Sequence, residues 1–141
     1  MAERKITING ENKIFGRTAT VAAKYAMMGY EVDIVNCDQM VISGRRKLIF
    51  SEFKEWYNKG DPLKGPYISR RPDFFVKRLL RNMLPHKKPR GREALERIKC
   101  YVGNKKDAKE FLDIPNANVK KLPNAKYITI REICKHLGAK V

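Results

Sequence analysis

Acidic residues are scarce in this chain of 141 residues: 15 Asp and Glu stand against 31 Lys and Arg, a formal net charge of +16. That much like charge repels itself in a free protein, and a polyanion offsets it most simply. Long apolar runs are missing too. No segment approaches the roughly 18 consecutive apolar residues of a membrane span, which weighs against an anionic membrane as the polyanion and leaves nucleic acid. Met1–Ile8 lacks the apolar core of a signal peptide, so a cytoplasmic location is expected. Cysteine is limited to Cys37, Cys100 and Cys134, an odd and widely spaced set that does not resemble a disulfide framework. Histidine is limited to His86 and His136, so no zinc-type cluster emerges, and neither metal nor cofactor is expected. The three thiols are expected to be reduced and partly buried.

What the chain does contain is a normal apolar share, 43%, enough for one folded domain with a real core. Its charge is unevenly placed. Residues 1–69 carry 11 basic and 8 acidic groups, residues 70–92 carry 9 and 1, and residues 93–141 carry 11 and 6. Half of the net charge therefore lies in 70–92. A merely soluble surface intersperses its signs; this concentration is what a binding surface needs.

Periodicity supplies a coarse secondary structure. Residues 4–9 alternate as a short strand, Gly10–Gly16 form a loop, and 17–28 read as a helix whose Ala19, Ala22, Ala23 and Ala26 allow close packing on a sheet. Gly29 stops it. Strands follow at 31–36 and 40–43. A helix over 45–59 has Ile49, Phe53, Trp56 and Tyr57 at steps of three and four. Strand, helix and strand in this order imply parallel pairing, hence an α/β unit. Residues 64–71 form an irregular connection. Pro72 suits the first turn of a helix to about Met83, with Phe75, Leu79 and Met83 on one side. Leu84–Arg92, with two prolines and a glycine, reads as a loop held out of regular structure. A short helix through Ala94 and Leu95 precedes a strand at 97–102, where Ile98, Cys100 and Val102 alternate with Arg97, Lys99 and Tyr101. Beyond it, 106–112 is a weak helix and 114–126 an extended, proline-punctuated arm. Thr129 to Glu132 fits a capping box for a last helix to Leu137.

Catalytic signals are thin. A nucleotide loop would need Lys and Ser or Thr behind its glycines, and beyond Gly10 the loop offers Phe15 and Gly16. The two glycines serve turn geometry more simply. Asp33 and Asp38 flank the end of the second strand, where α/β enzymes often keep functional groups, but no motif places a His or Cys beside them; capping and solvation account for both. His136 is expected to be a surface or capping residue. His86, inside the basic loop, could stack on a base or donate to phosphate, or be an ordinary loop histidine. The basic stretch itself is Arg-rich. Arginine provides a planar fork for phosphate and a face for bases, which favours structured RNA over plain charge neutralisation.

The stretch Arg78–Tyr101, RLLRNMLPHKKPRGREALERIKCY, resembles the signature of the ribosomal protein L-thirteen family, above all in Met83–His86 with Lys87, Arg90 and Gly91. The opening is similar too: a strand, Gly16-Arg17 starting a small-residue helix, and a Val-rich strand ending at Asn36. The resemblance covers about residues 4–103 and is nearer to the archaeal and eukaryotic branch. It implies a three-layer α/β/α domain around a small, mostly parallel sheet, and a structural role binding and folding large-subunit ribosomal RNA beside neighbouring ribosomal proteins, without catalysis. Carried over by motif, Arg17, Arg78, Arg81, Pro85, His86, Lys87, Arg90 and Gly91 match. Lys88 stands where many relatives have a hydroxyl residue. With the charge pattern, the expected RNA-binding set is Arg17, Arg70, Arg71, Lys77, Arg78, Arg81, His86, Lys87, Lys88, Arg90 and Arg92. Residues 1–103 are expected to form the core domain, with the basic segment at 70–92, and 104–141 an extension on the core or on RNA. Two alternatives stay open: a nucleotide-dependent α/β enzyme and a regulatory nucleic-acid-binding module.

Overall fold

The computed structural model describes residues 4–104 and 110–140. In chain order its elements are β1 (Lys5–Asn9), α1 (Phe15–Met27), β2 (Glu31–Val35), β3 (Val41–Ser43), α2 (Arg46–Asn58), α3 (Pro72–Arg81), α4 (Pro89–Arg97), β4 (Ile98–Cys100), β5 (Tyr127–Thr129) and α5 (Ile130–His136). Three of the strands form a parallel sheet in the order β1-β2-β4, with Ile6 opposite Val32 and Val32 opposite Ile98. Parallel strands are normally covered on both faces. Here Val32, Asp33, Ile34 and Val35 of the central strand are all buried. Helix α1 packs on β2 and against α4, while α3 packs on β4 and against α5. The expected α/β architecture is present.

Small residues explain how α1 approaches the sheet: Ala19, Ala22, Ala23 and Ala26 are all buried. Across the molecule, Phe53 and Trp56 of α2 meet Phe75 of α3 with ring centroids 5.4 and 6.0 Å apart. Burying a ring such as Phe75 contributes about 2–3 kcal/mol. The buried residues of α3 are Pro72, Phe75, Val76 and Leu80; Leu79 is half-buried against the core, and Met83, beyond the helix end at Arg81, is 41% exposed.

Four other expectations change. First, β3 does not join the parallel sheet. It pairs antiparallel with β5, Ile42 opposite Ile128, in a separate two-stranded sheet. That partner is more than eighty residues away, beyond the reach of local pattern. Second, the strand expected at 97–102 shrinks to Ile98–Cys100, since Arg97 closes α4. Third, 114–126 is no extended arm. It makes 3-10 turns at Pro115–Ala117 and Val119–Lys121, and Ile114 and Ala117 are buried. Ile14 N donates to the Ala117 carbonyl at 2.6 Å. Ile128, Ile130, Ile133 and Cys134 join the same buried cluster as Ile8, Val32 and Phe75. Fourth, Glu110–Leu112 is not helical, while 106–109 of the expected helix lie outside the described residues.

The capping box is present. The Glu132 amide donates to Thr129 Oγ1 at 3.3 Å, and the Thr129 amide donates to Glu132 Oε2 at 3.1 Å. His136 is exposed, and its ring stacks on Phe50 at 4.3 Å.

Asp33 and Asp38 are not solvated. They are 2% and 5% exposed. Lys5 Nζ lies 3.2 Å from Asp33 Oδ2, and Asp38 Oδ1 has no hydrogen-bond partner among the described residues. Burial at the end of the second strand thus replaces the solvation expected for both acids.

All three cysteines are free; Cys37 and Cys134 are buried and Cys100 is half-buried. Burial pushes the Cys100 and Cys134 thiols up to about 12, and the Cys37 thiol upward as well. A nearby Lys77 charge opposes the shift at Cys100 without reversing it. The thiols therefore stay neutral in the folded chain. Their contribution to stability is fully present below the ordinary thiol value of 9.0 and is lost as pH rises through about 12. A thiol-specific reagent at pH 8 should label the native protein many-fold more slowly than the urea-unfolded chain. Equal rates in the two states would contradict the burial described here.

Candidate nucleic-acid interface

The basic segment folds into a helix, a tight turn and a second helix. Pro72 occupies the first turn of α3, where its missing N–H costs nothing. After Arg81 the chain makes two further turns, with Met83 N donating to the Leu80 carbonyl at 2.9 Å and Leu84 N to the Arg81 carbonyl at 3.3 Å. Leu84 is buried and anchors the turn to the core. Lys88 N then donates to the Pro85 carbonyl at 2.9 Å. Pro89 begins α4 for the same reason that Pro72 begins α3. The expected loop is thus helical from Pro89 onward, because proline at a helix start favours the helix.

Gly91 explains the end of the motif. A Cβ built there would lie 2.0 Å from the Pro85 carbonyl oxygen and 2.9 Å from the His86 nitrogen. Only a residue without a side chain lets α4 sit this close to the turn. His86 Nδ1 lies 3.1 Å from the Arg81 carbonyl, where the ring N–H closes the end of α3. His86 is therefore built into the turn, and its Nε2 has no partner among the described residues.

This scaffold sorts the eleven expected residues. Lys87, Lys88, Arg90 and Arg92 are exposed together on the turn and the start of α4. Arg92 Nη2 reaches only to 3.5 Å of the Lys87 carbonyl. Arg81 is half-buried, and its Nε has no partner among the described residues. Lys77 is half-buried and lines a concavity with Asp73, Lys99 and Tyr101. The others are exposed or half-exposed but already engaged. Arg17 donates from Nη1 to the Asn116 carbonyl at 2.7 Å. Arg70 donates from Nε to the Tyr57 hydroxyl at 2.5 Å. Arg71 pairs with Asp73 at 2.9 Å. Arg78 lies 5.8 Å from the Trp56 ring centroid.

Aromatic rings beneath these arginines carried no signal in the basic segment itself. Arg70 lies over Tyr57 at 5.0 Å, Arg71 over Phe74 at 4.7 Å, and Arg46 over Phe50 at 5.2 Å. With Arg78, four such pairs gather around α2 and α3, where about one per 70–80 residues is usual. Rings of this kind hold a guanidinium in place before a ligand arrives, so less rotamer entropy is lost on binding. Arg97 was read as a strand residue. It instead ends α4 and donates from Nη1 to the Ala26 carbonyl at 3.0 Å, joining α4 to the end of α1; its spacing from Glu93, with which it pairs at 3.8 Å, was the available clue.

Chemically, the surface can bind anions. The turn offers four cations on a backbone fixed by a buried leucine, a glycine contact and a histidine bond. Among the described residues, no group of three or more His, Cys, Asp or Glu is arranged to hold a metal ion, and no helix is long and apolar enough to cross a membrane.

Replacing Gly91 with Ala should force α4 away from the turn, costing about 1–3 kcal/mol, the usual range for overpacking. Urea denaturation checks this; a midpoint equal to that of the unaltered chain would refute the close approach.

Known proteins resemble this chain over nearly its whole length. The family model described as Ribosomal protein L13 matches residues 3–107. The Large ribosomal subunit protein uL13 of Methanocaldococcus jannaschii is 44% identical over 137 residues, covering 94% of this chain and 97% of that protein. Its counterpart in Methanococcoides burtonii is 41% identical over 136 residues, covering 94% and 97%. The one in Halobacterium salinarum is 36% identical over 137 residues, covering 96% and 92%. A family match that includes the whole helix–turn–helix, joined to relatives aligned over 94% of this chain, establishes that the chain belongs to the ribosomal protein L13 family.

Proposed function

We propose that this chain is a structural component of the large ribosomal subunit, located with ribosomes in the cytoplasm, that binds large-subunit ribosomal RNA and helps it fold and assemble. It performs no catalysis and meets neighbouring large-subunit proteins. The observation that carries the reading is the cluster of Lys87, Lys88, Arg90 and Arg92, exposed on one rigid turn of a chain whose relatives are named large ribosomal subunit proteins. The nucleotide-enzyme alternative finds no support among those relatives.

The mechanism follows from the geometry. RNA segments brought together in a compact particle repel one another through their phosphates. A rigid cationic turn placed between them releases counterions and lowers that repulsion. Arg78 and Arg81 extend the surface along α3, and His86, held through Nδ1, presents its Nε2 beside them. Arg17, Arg70, Arg71 and Lys77 contribute charge from the margins, and the three arginines are already oriented by protein partners.

Filter binding to large-subunit ribosomal RNA over a range of salt tests this reading. The quadruple variant Lys87→Ala, Lys88→Ala, Arg90→Ala and Arg92→Ala should bind more weakly. The slope of log affinity against log salt should be shallower by about 3–4, near one for each phosphate contact removed. An unchanged affinity and slope would show that the turn is not the RNA contact.

A further inference from the structure

The pairing of β3 with β5 brings together two basic runs that are far apart in sequence. Residues 43–48 contain Arg45, Arg46 and Lys47 and no acid; residues 115–126 contain Lys120, Lys121 and Lys126 and no acid. Neither run falls within the basic segment at 70–92. Ser43 stands opposite Tyr127 in the small sheet, and Gly44 N donates to the Lys126 carbonyl at 2.9 Å. Arg45 and Lys126 consequently line one surface concavity of about 360 Å³, together with Gly44, Leu122, Pro123 and Asn124. Among the described residues, no carboxylate lines it. Arg45, Lys120, Lys121 and Lys126 are exposed, with no ion pair among the described residues. Arg46 is the exception, 3.4 Å from Glu132.

We propose that Arg45 and Lys126, flanked by Lys120 and Lys121, form a second phosphate-binding surface for RNA, distinct in its residues from the α3–α4 turn. Three features point to RNA phosphate. The concavity is shallow and cation-lined, without a neutralising acid. Its Asn124 side-chain amide offers a neutral donor beside the charges. The turn at Val119–Lys121 is fixed by Lys120 N donating to Asn118 Oδ1 at 3.1 Å and Lys121 N to the Asn118 carbonyl at 2.9 Å. Its cations are thus carried on ordered backbone and not on a loose tail. The consequence is bivalence. A chain with two such surfaces holds two stretches of the RNA backbone at a separation set by its core, and the second contact becomes intramolecular once the first is made.

This inference rests on the RNA-binding reading, and one experiment separates the two. Filter binding to large-subunit ribosomal RNA across a salt series compares the unaltered chain, the pair variant Arg45→Gln with Lys126→Gln, and the pair variant Lys120→Gln with Lys121→Gln. All four positions are exposed, so thermal unfolding should be unchanged within small limits, and each variant is checked for this. The Arg45/Lys126 variant should lose about tenfold or more in affinity at moderate salt, with a slope shallower by about 2. The Lys120/Lys121 variant should move the same way by a smaller amount. A normal slope in both variants, alongside salt-dependent binding by the unaltered chain, would overturn the second surface and leave the first intact. Unchanged RNA binding combined with poorer co-sedimentation of these variants with large subunits would assign the patch to an acidic protein partner and overturn the proposal. Salt-independent binding by the unaltered chain would remove the RNA reading itself, and this inference with it.

Discussion

Like-charge repulsion is the constraint on which the rest of this structure depends. A net charge of +16 on a chain of this size opposes its own compaction. The core offsets that repulsion without neutralising it. Valines and isoleucines of a fully covered central strand, an alanine face on α1, and an aromatic cluster between α2 and α3 bury apolar area while the cations remain outside. Among the described residues few ion pairs relieve the charge, and those present are mostly exposed pairs of the kind that contribute little. The fold thus tolerates electrostatic stress that an anionic partner removes.

Rigidity turns that stress into recognition. A flexible basic tail would lose much conformational entropy on meeting RNA. The α3–α4 turn has given up most of that entropy on folding: Leu84 is buried, Gly91 lets α4 lie against Pro85, and His86 is bonded to the end of α3. The arginines that lie over Tyr57, Phe74 and Trp56 follow the same logic. Lys120 and Lys121 continue it, because they sit on an ordered turn and not on an extended arm.

Local features of this architecture were legible in the sequence, and non-local ones were not. The alanine periodicity identified α1, the Pro72 start identified α3, and Thr129 with Glu132 identified the capping box, since each depends on residues within one or two helical turns. The β3–β5 pair depends on segments separated by more than eighty residues, and three-residue strands carry too little alternation to announce it. Burial of Asp33 and Asp38 was missed because a charged residue at a strand end reads as solvated until its neighbours are known. In the site, charge density located the turn, but nothing in the basic run marked which arginines were already engaged. Arg70 looks like a free cation in sequence; the Tyr57 hydroxyl that holds it lies on α2, thirteen residues earlier. Gly91 was legible as part of a motif, while its cause, contact with the Pro85 carbonyl, belongs to three dimensions.

Contact between RNA and the turn joining α3 to α4 inside the large subunit is tested most directly by a photo-crosslinking side chain placed at position 88, in chains assembled into large subunits in cells. The expected product is an adduct between this chain and large-subunit ribosomal RNA that nuclease digestion collapses. Subunits lacking the chain, or adducts at this position formed only with protein, would contradict it.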